Sequence, residues 1–136
     1  MHYVFFPDTE EHSQTTAYDK ETGPVGKELS ILAKKRQDLF LDVCTFLKKI
    51  AKVTDLTPYY KSEQLETLGS DLHEMRIPKT RSGGVFRIYF CHSLSKKAYL
   101  ILLEAELKHK KAGKKIPQAR ANLKKYKELF QKGVMI

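Results

Sequence analysis

Leu72-His73-Glu74-Met75-Arg76-Ile77 and Val85-Phe86-Arg87-Ile88-Tyr89-Phe90-Cys91, separated by Pro78 and Lys79-Thr80-Arg81-Ser82-Gly83-Gly84, read as the two arms of a β-hairpin. Both arms alternate with period two. His73, Met75 and Ile77 fall on one face of the first arm, with Leu72, Glu74 and Arg76 on the other. In the second arm Phe86, Ile88 and Phe90 oppose Val85, Arg87 and Tyr89. The paired glycines suit a turn that needs positive φ. A third period-two run, Ala98 to Lys108, extends the hairpin to a meander. It is expected to carry Tyr99, Ile101, Leu103, Ala105 and Leu107 on one side, and Leu100, Leu102, Glu104, Glu106 and Lys108 on the other. An apolar sheet face must be covered. The cover lies upstream, where Leu29, Leu32, Leu39, Val43, Phe46 and Ile50 form one helical stripe. That stripe breaks at Lys34-Lys35-Arg36-Gln37, which predicts two helices meeting there. Pro117 opens a final basic helix with Ala121, Leu123, Tyr126, Leu129 and Phe130.

The remaining segments are simpler. Residues 2–6 form a short edge strand stopped by Pro7, and the polar, acidic run from Asp8 to Gly23 is expected to be a mobile loop. Thr54 to Thr67, which contains Pro58, reads as a connection with one helical turn. The expected fold class is α+β: a small antiparallel meander sheet with an N-terminal edge strand, N-terminal helices on one face and a C-terminal helix. At 136 residues the chain is expected to be a single domain with one core. It has neither a 20-residue apolar run nor the basic start and apolar stretch of a signal peptide, so a cytoplasmic protein without membrane contact is expected. Cys44 and Cys91 lack ligand or disulfide spacing and read as small fillers; neither metal nor cofactor is expected.

Charge is segregated along the chain. Residues 1–33 carry two lysines against six acids, residues 34–75 balance, and residues 76–136 carry sixteen cations against three acids. Such a distribution produces a directed field and implies a polyanionic partner, nucleic acid first.

Five pieces in order resemble one family: Gly23-Pro24-Val25; Leu68 followed by Leu72-His73-Glu74-Met75-Arg76; Gly84 to Phe90; Leu102-Leu103 running into Lys108-His109-Lys110-Lys111; and Ile116-Pro117 with Ala119 and Ala121. The chain resembles the RelE/ParE toxin superfamily from about Gly23 to Phe130, most closely its phage-type, HigB-like branch. The resemblance implies a RelE-like α/β toxin of a type II toxin–antitoxin pair that cuts mRNA on the ribosome without metal. It also implies a neighbouring antitoxin, a helix-turn-helix protein of the HigA-like kind. In this setting Arg76 and Arg87 match the strand arginines, and Lys108, Lys110 and Lys111 match the basic cluster after the last strand.

The chemistry gives those residue types a purpose. If the 2′-hydroxyl of RNA attacks the adjacent phosphorus, the protein must stabilise phosphoryl charge, take the 2′-proton and protonate the leaving 5′-oxygen. Arginine binds phosphate bidentately and keeps its charge. Arg76 and Arg87 share a face and are expected to grip one phosphate, while His109 can carry a proton. Glu74 or Glu106 can orient an arginine or act as base. Lys79, Arg81, Lys110, Lys111, Lys114 and Lys115 are the expected RNA contacts, with Tyr89 either stacking on a base or simply packing in the sheet. His73 reads as a satisfied boundary histidine. Relatives carry His or apolar residues where this chain has Glu104-Ala105-Glu106, and a tyrosine early in the last helix where it has none. Two other readings remain open: a ParE-like toxin inhibiting a protein such as gyrase, and an RNA- or ribosome-binding module without catalysis.

Overall fold

The computed structural model describes residues 1–78, 84–108 and 113–136. Strand β1 (His2–Phe5) is followed by helices α1 (Gln14–Lys20), α2 (Gly23–Lys35), α3 (Gln37–Ala51) and α4 (Thr57–Lys61). Strands β2 (Leu65–Gly69), β3 (Leu72–Ile77), β4 (Val85–His92) and β5 (Tyr99–Lys108) follow, then α5 (Ile116–Gln131). The sheet order is β1-β5-β4-β3-β2. Strands β2 to β5 form an antiparallel meander, and β1 joins its far edge parallel to β5, so the sheet is mixed. The α+β class, the meander, the N-terminal edge strand and the C-terminal helix are as expected from the sequence. No helix among the described residues is long and apolar enough to cross a membrane.

The helical stripe divides as its pattern implies. Arg36 leaves the helical region (φ −143°, ψ 69°), ending α2 and starting α3. Leu29, Leu32, Leu39, Val43, Phe46 and Ile50 are all buried, packed with Met75, Ile77, Phe86, Ile88 and Phe90 of the sheet. Gly23 sits at φ +66°, and a Cβ there would stand 2.1 Å from the Phe6 carbonyl oxygen, so glycine is required where α2 passes β1.

Three expectations are corrected. The Asp8–Gly23 stretch is not a mobile loop throughout: Ser13 caps α1 by accepting from the Thr16 amide (3.2 Å), and Ala17 is fully buried. Seven residues with one core-facing alanine are too short to show an apolar period, so capping and close packing on α2 hold this helix. β2 was hidden in the stretch read as a connection, because only Leu65 of its residues is fully buried. The single alternation assigned to residues 98–108 also fails. Tyr89 pairs with Glu104 but Phe90 pairs with Leu102, leaving Leu103 as an extra residue. This bulge shifts the phase of β5. Ile101 and Leu103 therefore join the second core, under α5, whereas Leu100, Leu102, Ala105 and Leu107 face α2 and α3.

That second core contains Val4, Phe6, Leu72, Tyr89 and Cys91 with Ala119, Leu123 and Tyr126 of α5. Ala121 is exposed, so the buried stripe of α5 starts at Ala119. The helix covers one part of this sheet face, and the charged residues occupy the rest.

Candidate functional site

Cross-strand pairing sets the charged side chains in rows. Glu66, Glu74, Tyr89 and Glu104 are successive partners across β2, β3, β4 and β5. One step along, Arg76, Arg87 and Glu106 form the next row, and Lys108 lies one step further on β5. Arg76 and Arg87 thus stand directly opposite each other on the same face, as the alternation predicts. Like charges facing each other across strands repel unless neighbours compensate. Here the compensation is Glu74, which is only 1% exposed. Its Oε1 accepts from Arg76 Nε (2.8 Å) and lies 3.2 Å from Arg87 Nη1. Glu66 takes the other end of the Arg76 fork at 2.6 Å. The Glu74 hydrogen bond, with burial opposing it, holds the Arg76 pKa above its ordinary value.

Arg87 is more enclosed than Arg76, and its Nε is the one buried side-chain polar atom among the described residues without a hydrogen-bond partner. An orphaned buried donor costs about 1–3 kcal/mol. Among the described residues the Arg87 guanidinium is thus held by one carboxylate and unsatisfied at Nε.

Glu106 serves a different purpose from the one its sequence position suggests. Of the two glutamates able to orient an arginine, Glu74 is the one that pairs with Arg87. Glu106 Oε2 accepts from the Tyr89 hydroxyl (2.7 Å) and the Lys115 amide (2.9 Å), and Oε1 from the Lys114 amide (3.2 Å). Lys108 Nζ stands 3.7 Å from Oε1. These bonds tie the chain entering α5 to the sheet. Gly113 belongs to the same arrangement, since a Cβ there would fall 2.2 Å from the Tyr89 hydroxyl and 3.1 Å from Glu106 Oε2.

Tyr89 is therefore corrected as a base-stacking candidate: it is fully buried, and burial together with the Glu106 bond pushes its pKa well up. Lys108 lies on the charged face as expected but is itself buried. Lys115 is not a free contact; its ammonium reaches Glu28 (2.8 Å) and Glu104 (3.7 Å). Burial pulls its pKa down, but Glu28 and the two strand glutamates outweigh this and hold it above its usual value. Lys114 is exposed. Lys79, Arg81, His109, Lys110 and Lys111 lie outside the described residues. Among the described residues, no group of three or more His, Cys, Asp or Glu side chains could hold a metal ion.

Two members of the site were not legible. Glu66 becomes visible only once β2 is recognised as a strand, because its role follows from pairing with Glu74. Glu28, on α2, reaches Lys115 across the fold, and no local pattern signals such a contact.

His73 behaves as its position on the apolar face implies. Its Nδ1 is 2.8 Å from the Tyr60 hydroxyl and its ring stacks on Phe90. Burial and the neighbouring His92, opposed by Asp71, push its pKa down to about 4.

No protein-family model, curated protein or solved structure matches this chain.

Proposed function

We propose that this protein is the toxin of a type II toxin–antitoxin pair and cuts messenger RNA on translating ribosomes in the cytoplasm, with a helix-turn-helix antitoxin as its regulator. The observation that carries the reading is the Arg76–Arg87 pair, register-matched on adjacent strands and braced from below by buried Glu74. Two guanidinium groups held side by side suit a phosphodiester, whose two non-bridging oxygens each accept hydrogen bonds. The residue series shared with RelE/ParE toxins supports the same reading.

The reaction follows from those parts. The ribose 2′-oxygen attacks phosphorus as its proton passes to a base, forming a 2′,3′-cyclic phosphate. The bond from phosphorus to the 5′-oxygen breaks, and that oxygen takes up a proton. Arg76 and Arg87 stabilise the charge on the phosphoryl oxygens, Lys108 adds positive potential, and His109 is the proton carrier in this scheme. No metal enters it.

One observation favours RNA binding without cleavage. Glu74, Glu104 and Glu106 are buried on the same face, and Arg76 is already held by two carboxylates. Arg87→Lys separates the readings, because it keeps the charge opposite Glu74 while removing the planar fork. Purified protein added to a translation extract should produce position-specific mRNA ends, reduced at least about a hundredfold by Arg87→Lys, on the scale of losing one transition-state donor. Intact message with ribosome association unchanged would establish the non-cleaving module. Intact message with inhibited DNA supercoiling would point to a gyrase-directed toxin.

A further inference from the structure

A groove of about 420 Å³ runs between α5 and the β2–β3 turn, outside the arginine site, and is lined by Ser70, Arg120, Leu123, Lys124 and Lys127. Helix α5 carries Arg120, Lys124, Lys125 and Lys127 against a single acid, Glu128. Arg120, Lys124 and Lys127 are spaced by four and three residues, so they line up on one side of the helix over about 10 Å.

Their local partners differ. Arg120 donates to the carbonyls of Leu68 (2.9 Å) and Gly69 (3.3 Å), both at the end of β2. Lys127 pairs with exposed Asp71 at 2.9 Å. Lys124 is exposed and makes no hydrogen bond or ion pair among the described residues. Neutral carbonyls leave the Arg120 charge uncompensated, so the groove keeps two unneutralised cations with a third at its end. Leu123, the apolar side chain of the lining, is only 5% exposed. A chain of regularly spaced anionic groups meets a line of cations there. The groove also adjoins the arginine site: Leu68, which holds Arg120, is two residues along β2 from Glu66, which holds Arg76, a step of about 7 Å.

We propose that this groove seats the phosphodiester backbone of single-stranded RNA flanking the phosphate bound at Arg76 and Arg87. Arg120, Lys124 and Lys127 act as successive phosphate contacts, so α5 is a track for the substrate as well as a cover for the second core. The inference rests on the RNA-directed reading above, but not on cleavage.

The test measures fluorescence anisotropy of a labelled single-stranded RNA 15-mer with the full chain between 50 and 200 mM salt. It compares Lys124→Gln/Lys127→Gln with Lys125→Gln/Lys132→Gln, an equal charge change outside the groove lining, each checked for native circular dichroism. Each lost phosphate contact lowers the slope of log affinity against log salt by about 0.7 for single strands. The groove variant should therefore lose about 1.4 from the slope, so wild type weakens about sevenfold more than this variant across the fourfold salt range. The control should keep the wild-type slope. Equal slopes for groove variant and wild type overturn the proposal, as do equal losses in both double variants, which would mean only net charge. Tighter binding of a glutamate-rich peptide than of RNA, lost in the groove variant, overturns it in favour of an acidic protein partner. The two readings fail separately. Loss of cleavage in Arg87→Lys with an unchanged groove slope removes only the track, and a groove-dependent slope without any cleavage by wild type removes only the nuclease.

Discussion

Glu106→Gln exchanges one atom and should nonetheless loosen the fold. The two Glu106 oxygens face four donors: the Tyr89 hydroxyl, the Lys115 and Lys114 amides, and the Lys108 ammonium at 3.7 Å. An amide keeps one accepting oxygen and presents an NH2 group to the rest. With the NH2 in the Oε1 place, the Lys114 amide and Lys108 lose their acceptor. In the Oε2 place, the Tyr89 hydroxyl can turn to accept, but the Lys115 amide cannot. Either way one backbone donor is orphaned, at about 1–3 kcal/mol, and the bonds that remain lose their charge assistance. Lys108, itself buried, also loses its counterion. The total is about 3 kcal/mol of destabilisation, near a hundredfold in the folding equilibrium. Urea unfolding followed by circular dichroism should show the midpoint falling with an unchanged slope, and amide exchange should speed up first at the start of α5. Glu104→Gln is the internal comparison: among the described residues Glu104 accepts only from the Ala105 amide (3.1 Å) and faces Lys115 at 3.7 Å, so its cost should be smaller. A Glu106→Gln protein within about 0.5 kcal/mol of wild type would refute the view that this carboxylate anchors α5.

Other perturbations probe the same framework. Tyr89→Phe should cost about 1 kcal/mol, since it removes one donor to Glu106 and keeps the buried ring; a cost above that of Glu106→Gln would contradict the assignment. Gly113→Ala should destabilise by shifting the Tyr89 hydroxyl, and a Tyr89→Phe background should relieve part of that loss in a double-mutant cycle. Additive effects would mean that the clash is not relieved there. For pH, His73 has its folded pKa lowered from 6.5 to about 4, with Tyr60, His92 and Asp71 around it. Between those values the unfolded chain binds a proton that the folded chain refuses, so stability is full above pH 6.5 and declines as pH falls toward 4. His92, also lowered by burial, adds in the same direction. Stability of His73→Phe should fall less over this window, and a curve parallel to wild type would assign the acid sensitivity elsewhere.

The strands that carry the site were readable because their alternation is clean over six and eight residues, and pairing then puts Arg76 opposite Arg87 without further information. The helix break at Arg36 was readable for a similar reason: a basic residue interrupts an otherwise continuous apolar stripe. What escaped depends on contacts far apart in the chain. Helix α1 is held by a cap, by Ala17 and by the Tyr18 ring on Phe40, β2 by its partner strand, and the Glu106 anchor by amides eight and nine residues ahead. The charge pattern showed that cations and acids meet on one face. It could not show that acids would sit beneath the cations and hold them, since burial depth is a property of the packed fold. The phase of β5 was misread because a bulge inserts one residue without altering the composition of the strand.

That extra residue, Leu103, also bears on how the chain can change. Ahead of it the strand is in step with the edge strand β1, and beyond it with Arg87 and its neighbours. Deleting Leu103 would set Glu104 directly after Leu102, opposite the consecutive Phe90 and Tyr89, so the ladder would become regular and every later residue would keep its face. A residue inserted between Glu104 and Ala105, with the β1 end fixed, would instead turn Ala105 and Leu107 out from the α2–α3 core and Glu106 and Lys108 in. Substitutions at the site can be accommodated one at a time, but a one-codon insertion there would invert the part of the strand that carries it. Lengths on either side of Leu103 should thus drift far less among descendants of this chain than the identities of the charges themselves.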